Sequence, residues 1–136
     1  MLGDTLLMLP FFKALPIAFP NAKITYAVTS AKFVSGSLHE LLSPYLHHIT
    51  ETPTGEFDII IDTESTGAPK ALFRKLALVR ALRLIPHKIF ISAIFRWIFS
   101  DRKPAGFMKK PEHLLERHMR LLEAATGRLI KPIYGV

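Results

Sequence analysis

The segment Gly3-Asp4-Thr5 stands directly before an apolar, helix-like run that opens Leu6-Leu7-Met8-Leu9-Pro10. A glycine followed by a carboxylate at a helix start is where an α/β domain presents a charged side chain to a ligand cleft. Gly3 suits close backbone approach or a positive φ. The plainer account of the pair after it is a helix cap, in which Asp4 or Thr5 accepts an unpaired N–H of the first turn. A second polar segment, Asp62-Thr63-Glu64-Ser65-Thr66-Gly67, follows an apolar run and offers two more carboxylates. Lys70, Arg74 and Lys75 come next. Charge-assisted bonds from such cations suit phosphate, and Arg suits it best; a solvated helix face is the alternative.

Other chemistries find no support. His47-His48 are adjacent, and His113 and His118 are five apart rather than the four that puts two ligands on one helical face. His118 falls on an apolar stripe and reads as a buried core side chain. No metal and no cofactor are expected. There is no phosphate-loop signature, no GxGxxG and no serine-nucleophile site. The absence of cysteine removes disulfides, thiol nucleophiles and thiolate metal sites, and fits a reducing compartment.

The elements that must position these residues alternate between strand and helix. A helix is expected over Thr5–Ala18, with Pro10 and Pro16 inside it predicting a kink or an early stop. Lys23–Thr29 reads as a buried strand, rich in β-branched and aromatic residues. Ala31–Leu42 is a weak helix containing Gly36 and closed by Ser43-Pro44, with a short strand or loop over Tyr45–Thr50. Thr52-Pro53-Thr54-Gly55 is a turn by its residue types. Phe57–Thr63 is a continuous apolar run of the kind a parallel sheet covered on both faces requires. A helix over Pro69–Leu84 carries Leu72, Leu76, Val79 and Leu82 at helical spacing. His87–Ser92 is expected as a strand, while the periodicity of Ile94–Phe99 fits helix or strand. Asp101–Lys110 reads as a polar loop. Pro111–Ala125 is a helix, with Pro111 first, Glu112 in the first turn and Gly127 past the end. Its core-facing stripe is Leu114, His118, Leu121 and Ala125. The alternation predicts an α/β fold with a doubly wound, mostly parallel, Rossmann-like sheet, whose ligands bind beyond the carboxyl ends of the strands.

At 136 residues the chain is long enough to bury a core, and its 49% hydrophobic content excludes generic disorder. Met1 is followed by Asp4 rather than a basic segment, so no secretory signal is expected. The apolar region Leu76–Phe99 is interrupted by Arg80, Arg83, Lys88 and Arg96. A membrane span needs about 20 predominantly apolar residues, which excludes that region as an ordinary one. The net charge of +7 is concentrated, since Ser65–Ser100 holds Lys70, Arg74, Lys75, Arg80, Arg83, Lys88 and Arg96 and no acidic residue. That block favours an anionic partner over a merely solubilising role. Its mixture with Phe73, Phe90, Ile91, Ile94, Phe95, Trp97, Ile98 and Phe99 points to a membrane-proximal surface.

In order along the chain, Gly3–Pro10, Phe12-Lys13-Ala14-Leu15 and Ala18-Phe19-Pro20-Asn21-Ala22-Lys23-Ile24-Thr25 resemble the amino-terminal half of the heptosyltransferase family, glycosyltransferase family 9. Phe57–Asp62 resembles that family's third-strand segment, and His113–Leu122 its helix near the end of the first domain. The resemblance implies the two-domain GT-B architecture, with residues 1–136 as a single acceptor-side domain. It implies inverting transfer of a sugar, most simply heptose from ADP-heptose, onto a phosphorylated lipopolysaccharide-core acceptor. The expected location is the inner face of the bacterial cytoplasmic membrane, peripheral to its anionic surface.

By the same resemblance Asp4 is the catalytic base that takes the acceptor hydroxyl proton, a task requiring hydrogen-bond reach. Gly3 and Thr5 then lie beside the acceptor, Asp62 and Glu64 hydrogen-bond its sugar, and Lys70, Arg74 and Lys75 grip its phosphates. Solvated loop carboxylates remain the alternative for Asp62 and Glu64. The sequence departs from the family at Pro16, and at Thr63-Glu64, where an amide-glycine pair is frequent. Only Met1-Leu2 precede the Gly-Asp turn, so the family's first strand is expected to be missing. The carboxyl-terminal domain, which holds most nucleotide-sugar contacts, is expected to be missing too, with Ile130-Lys131-Pro132-Ile133 like the approach to its linker. The 136 residues alone are therefore expected not to transfer sugar. Two other readings stay open: a non-catalytic membrane-peripheral module, and a basic nucleic-acid-binding module, the latter without any recognisable reader motif.

Overall fold

The computed structural model describes residues 8–28, 36–63, 72–93, 100–102 and 114–131. The chain divides into two compact units, Met1–Pro53 with Ile130–Val136, and Thr54–Leu129. Both contain helices and short parallel strands, and the protein is a mixed α/β structure compatible with a Rossmann-like fold. Among the described residues no helix is long and apolar enough to cross a membrane.

The first unit opens with α1, Leu9–Ala18. Pro10 falls in its first turn, where a missing N–H leaves no helical bond unmade. The cap position is Met8, which makes no side-chain hydrogen bond; Asp4 and Thr5, the expected caps, lie outside the described residues. Pro16 sits inside the helix without stopping it early: the helix runs to its expected end at Ala18, where the Phe19 N–H closes it on the Leu15 carbonyl at 2.9 Å. Phe11, Phe12, Ala14, Leu15 and Ala18 are buried, and the Phe12 ring lies 5.1 Å from that of Tyr26.

Strand β1 covers Thr25–Ala27, shorter than the expected Lys23–Thr29. It pairs in parallel with β2, His48–Thr50, in the register Thr25↔His48 and Ala27↔Thr50. Bonds just outside the strands extend the match: His47 and His48 N–H donate to the Ile24 carbonyl, and Val28 N–H to that of Thr50. Thr25 and Tyr26 are half-buried and Ala27 is exposed, so β1 is not the buried strand its composition suggests. Between the strands, α2 spans Ser37–Leu42; residues 31–35 of the expected Ala31–Leu42 helix lie outside the described residues. Gly36 precedes it at φ 61°, a left-handed conformation that a helix interior does not accept and glycine supplies without a Cβ clash. A 3₁₀ turn over Ser43–Tyr45, with Pro44 inside it, follows.

The second unit is a β-α-β-α run. Strand β3, Phe57–Asp62, and strand β4, His87–Ser92, pair in parallel with Phe57 opposite His87 and Asp62 opposite Ser92. The helix α3 between them, Leu72–Arg83, keeps Leu76, Val79 and Leu82 of the stripe read from the sequence, the Leu72 side chain lying outside the described residues. Val79 is buried with Phe90, and Leu76, Leu82 and Ile60 pack around that pair. The closing helix α4, Leu114–Thr126, packs on both strands and buries His118, Met119, Leu121, Leu122 and Ala125. Gly127 ends it at φ 75°, its N–H bonded to the Glu123 carbonyl at 2.8 Å.

Successive strand residues face opposite ways, and Phe90 and Ile91 are each wholly buried. Both faces of β4 are therefore covered. The expected continuous burial of β3 is not met: Phe57, Ile59, Ile60 and Ile61 are half-buried and Asp58 is exposed. The physical reason lies at the other edge of β3, where no strand is paired with it among the described residues.

Candidate functional site

Strands β3 and β4 end side by side on a buried polar pair. Asp62 is 3% exposed and Ser92 is fully buried, and the Ser92 hydroxyl donates to Asp62 Oδ2 at 2.7 Å. The Ala93 N–H donates to the Asp62 carbonyl at 2.9 Å. A carboxylate this deep is costly unless hydrogen-bonded, and the register of the two strands brings it the bond. Sequence placed Asp62 at the mouth of a polar loop. The structure makes it the last residue of β3, with its carboxylate turned inward rather than solvated.

Ser100, Asp101 and Arg102 follow the edge of β4 back from this end and reach α3 and α4. The Ser100 hydroxyl accepts the Ser92 N–H at 2.6 Å and donates to the Ser92 carbonyl at 2.8 Å. Asp101 Oδ2 accepts the Phe90 N–H at 2.8 Å, and the Asp101 N–H donates to the Phe90 carbonyl at 2.7 Å. The other Asp101 oxygen lies 3.6 Å from the Arg83 guanidinium, which itself stacks 4.9 Å over the Phe90 ring. Arg102 donates to the carbonyls of Ala124 and Ala125 at the carboxyl end of α4. A cation there also complements the helix dipole. Sequence read Asp101 as the start of a plain loop and missed all three residues.

One signal for the polar pair was present. The strings Phe-Asp-Ile-Ile-Ile-Asp and His-Lys-Ile-Phe-Ile-Ser, set level, put Asp58 beside Lys88 and Asp62 beside Ser92. The structure has that alignment, with Lys88 Nζ 3.2 Å from Asp58 on the exposed surface. These two charges belong to an open depression of about 400 Å³ at the amino ends of the strands, lined also by Glu56, Phe57, Pro86 and His87. In α/β sheets ligands bind at the opposite, carboxyl end, where Asp62 lies.

Of the other expected site residues, Arg74 is in the first turn of α3 and exposed. Lys75 is on the same helix, its side chain outside the described residues. Gly3, Asp4, Thr5, Glu64 and Lys70 also lie outside them. Among the described residues the basic block divides in two. Arg83 and Lys88 are engaged with Asp101 and Asp58, whereas Arg74 and Arg80 face solvent. Phe90 and Ile91, which the sequence grouped with a membrane-proximal surface, are core residues.

Comparisons of this chain with protein families, with curated proteins and with solved structures find no match.

Proposed function

We propose that this chain is the acceptor-side, Rossmann-like domain of a heptosyltransferase-like glycosyltransferase of GT-B architecture. It would take part in inverting transfer from a nucleotide-diphosphate sugar to a phosphorylated lipopolysaccharide-core acceptor at the inner membrane face. The observation that carries the reading is the ordered resemblance running from Gly3-Asp4-Thr5 through Phe57–Asp62 to His113–Leu122. The parallel β3-α3-β4 unit supports it, because the third-strand segment forms a strand that ends in a carboxylate on the ligand-binding side of such sheets. In this reading Asp4 takes the proton from the attacking acceptor hydroxyl. Gly3 and Thr5 shape the turn around it, Glu64 meets the acceptor sugar, and Lys70, Arg74 and Lys75 meet its phosphates. Asp62 contributes by holding the ends of β3 and β4 together through Ser92, and the loop that carries Glu64 departs from that point.

The Asp4→Asn change, made where this segment is joined to a nucleotide-sugar-binding domain, tests the central role. A general base supplies roughly 10²–10⁴-fold, so kcat falls by about that factor while the acceptor KM stays near its starting value. Near-normal turnover ends the assignment of Asp4 as base.

A further inference from the structure

Helix α3 buries one face and leaves the other with an unusual composition. Phe73 is 82% exposed and Leu84 is 79% exposed, the two highest values among the large apolar side chains described. At 3.6 residues per turn, Phe73, Arg80 and Leu84 fall within about 20° of one line along the helix, with Ala77 beside it. The helical path continues through Leu84, whose N–H donates to the Arg80 carbonyl at 3.3 Å. Ala77, Arg80 and Ala81 are exposed, as is Arg74 on the flank. The opposite side holds Leu76, Val79 and Leu82 against Phe90 and Ile60. No acidic residue occurs on α3 or anywhere in Ser65–Ser100.

We propose that this outward face of α3 docks on an anionic bilayer surface, with Phe73 and Leu84 entering the acyl boundary and Arg74 and Arg80 meeting headgroup phosphates. The two apolar anchors stand about 16 Å apart at 1.5 Å per residue, with a cation between them. That spacing is too sparse for the core of a stable protein interface, which buries about 800 Å² on each partner. A bilayer accepts anchors singly, and each cation near an anionic leaflet adds attraction. Nucleic acid would use the arginines but leave Phe73 and Leu84 without a role. The inference is argued from α3 and deepens the membrane-face location of the proposed function; its test contains no sugar donor, so its failure and that of the transferase reading are distinguishable.

The 136-residue chain is sedimented with vesicles of equal parts phosphatidylglycerol and phosphatidylcholine, and with vesicles of phosphatidylcholine alone. Binding is expected to the anionic vesicles and to weaken as salt rises. The paired change Phe73→Ser with Leu84→Ser lowers the partition coefficient about tenfold or more, from the apolar burial lost. The pair Arg74→Gln with Arg80→Gln removes the preference for anionic over neutral vesicles. All four side chains are exposed, so circular dichroism of both variants should match the parent. No sedimentation with either vesicle, or equal binding by parent and folded variants, overturns the proposal. Tighter binding to duplex DNA than to anionic vesicles overturns it as well.

Discussion

The two parallel strand pairs of this protein differ in how they are held. The pair β1–β2 is three residues long on each side, half-buried to exposed, and extended mainly by backbone bonds at Ile24, His47 and Val28. The pair β3–β4 is six residues long and ends on the buried Asp62–Ser92 bond, and its outer edge is closed by Ser100 and Asp101. Strand-forming composition is similar in the two regions. Both pairs have a side-chain bond at an end, His47 Nδ1 accepting the Ile24 N–H at 3.1 Å in the first. What separates them is that the second ends on a buried polar pair and has its outer edge closed by Ser100 and Asp101. A short parallel pair persists as a firm element when its edge donors are answered from elsewhere in the chain.

The largest break in that comparison should come from the core of the second pair. Phe90→Ala empties a fully buried position between β4 and α3, and such truncations cost about 3–5 kcal/mol. Tyr26→Ala, at a half-buried position of β1, should cost markedly less. Urea unfolding of the two variants measures the gap, and equal losses would mean that the two pairs are equally packed.

Asp101→Ala should follow. It removes the acceptor of the Phe90 N–H and the partner of Arg83, and an unsatisfied buried donor costs about 1–3 kcal/mol. Hydrogen exchange at the Phe90 and Ser92 amides sharpens the comparison, because those protons should lose protection while the Tyr26 amide does not. Unchanged exchange at Phe90 would show that the edge of β4 does not depend on Asp101.

Much of this organisation was legible in the residues. His87–Ser92 emerged end to end, β3 to within one residue, and the stripes Leu76-Val79-Leu82 and His118-Leu121-Ala125 face the core as their spacing required. These elements have strong periodicity or a long apolar run, so local pattern and tertiary packing agree. Elements whose limits depend on partners were drawn too long. β1 stops where β2 stops, and α2 begins only after Gly36. The site was less legible. A local window cannot see that Asp62 faces Ser92 thirty residues on, nor that Asp101 returns to the edge of β4. It also cannot separate an apolar residue in the core, as Phe90 is, from one left outside, as Phe73 is. Both stand in the same basic, aromatic-rich block, and only the helix and strand geometry assigns them opposite fates.

The claim that this is an acceptor-side domain is tested most directly by calorimetric titration of the chain with a phosphorylated lipopolysaccharide-core oligosaccharide freed of its lipid. Without lipid, docking through α3 does not contribute. The account predicts saturable binding that weakens about tenfold or more when the phosphates are removed, as expected for charge-assisted bonds to Lys and Arg. No heat of binding, or the same affinity for the dephosphorylated sugar, would contradict it.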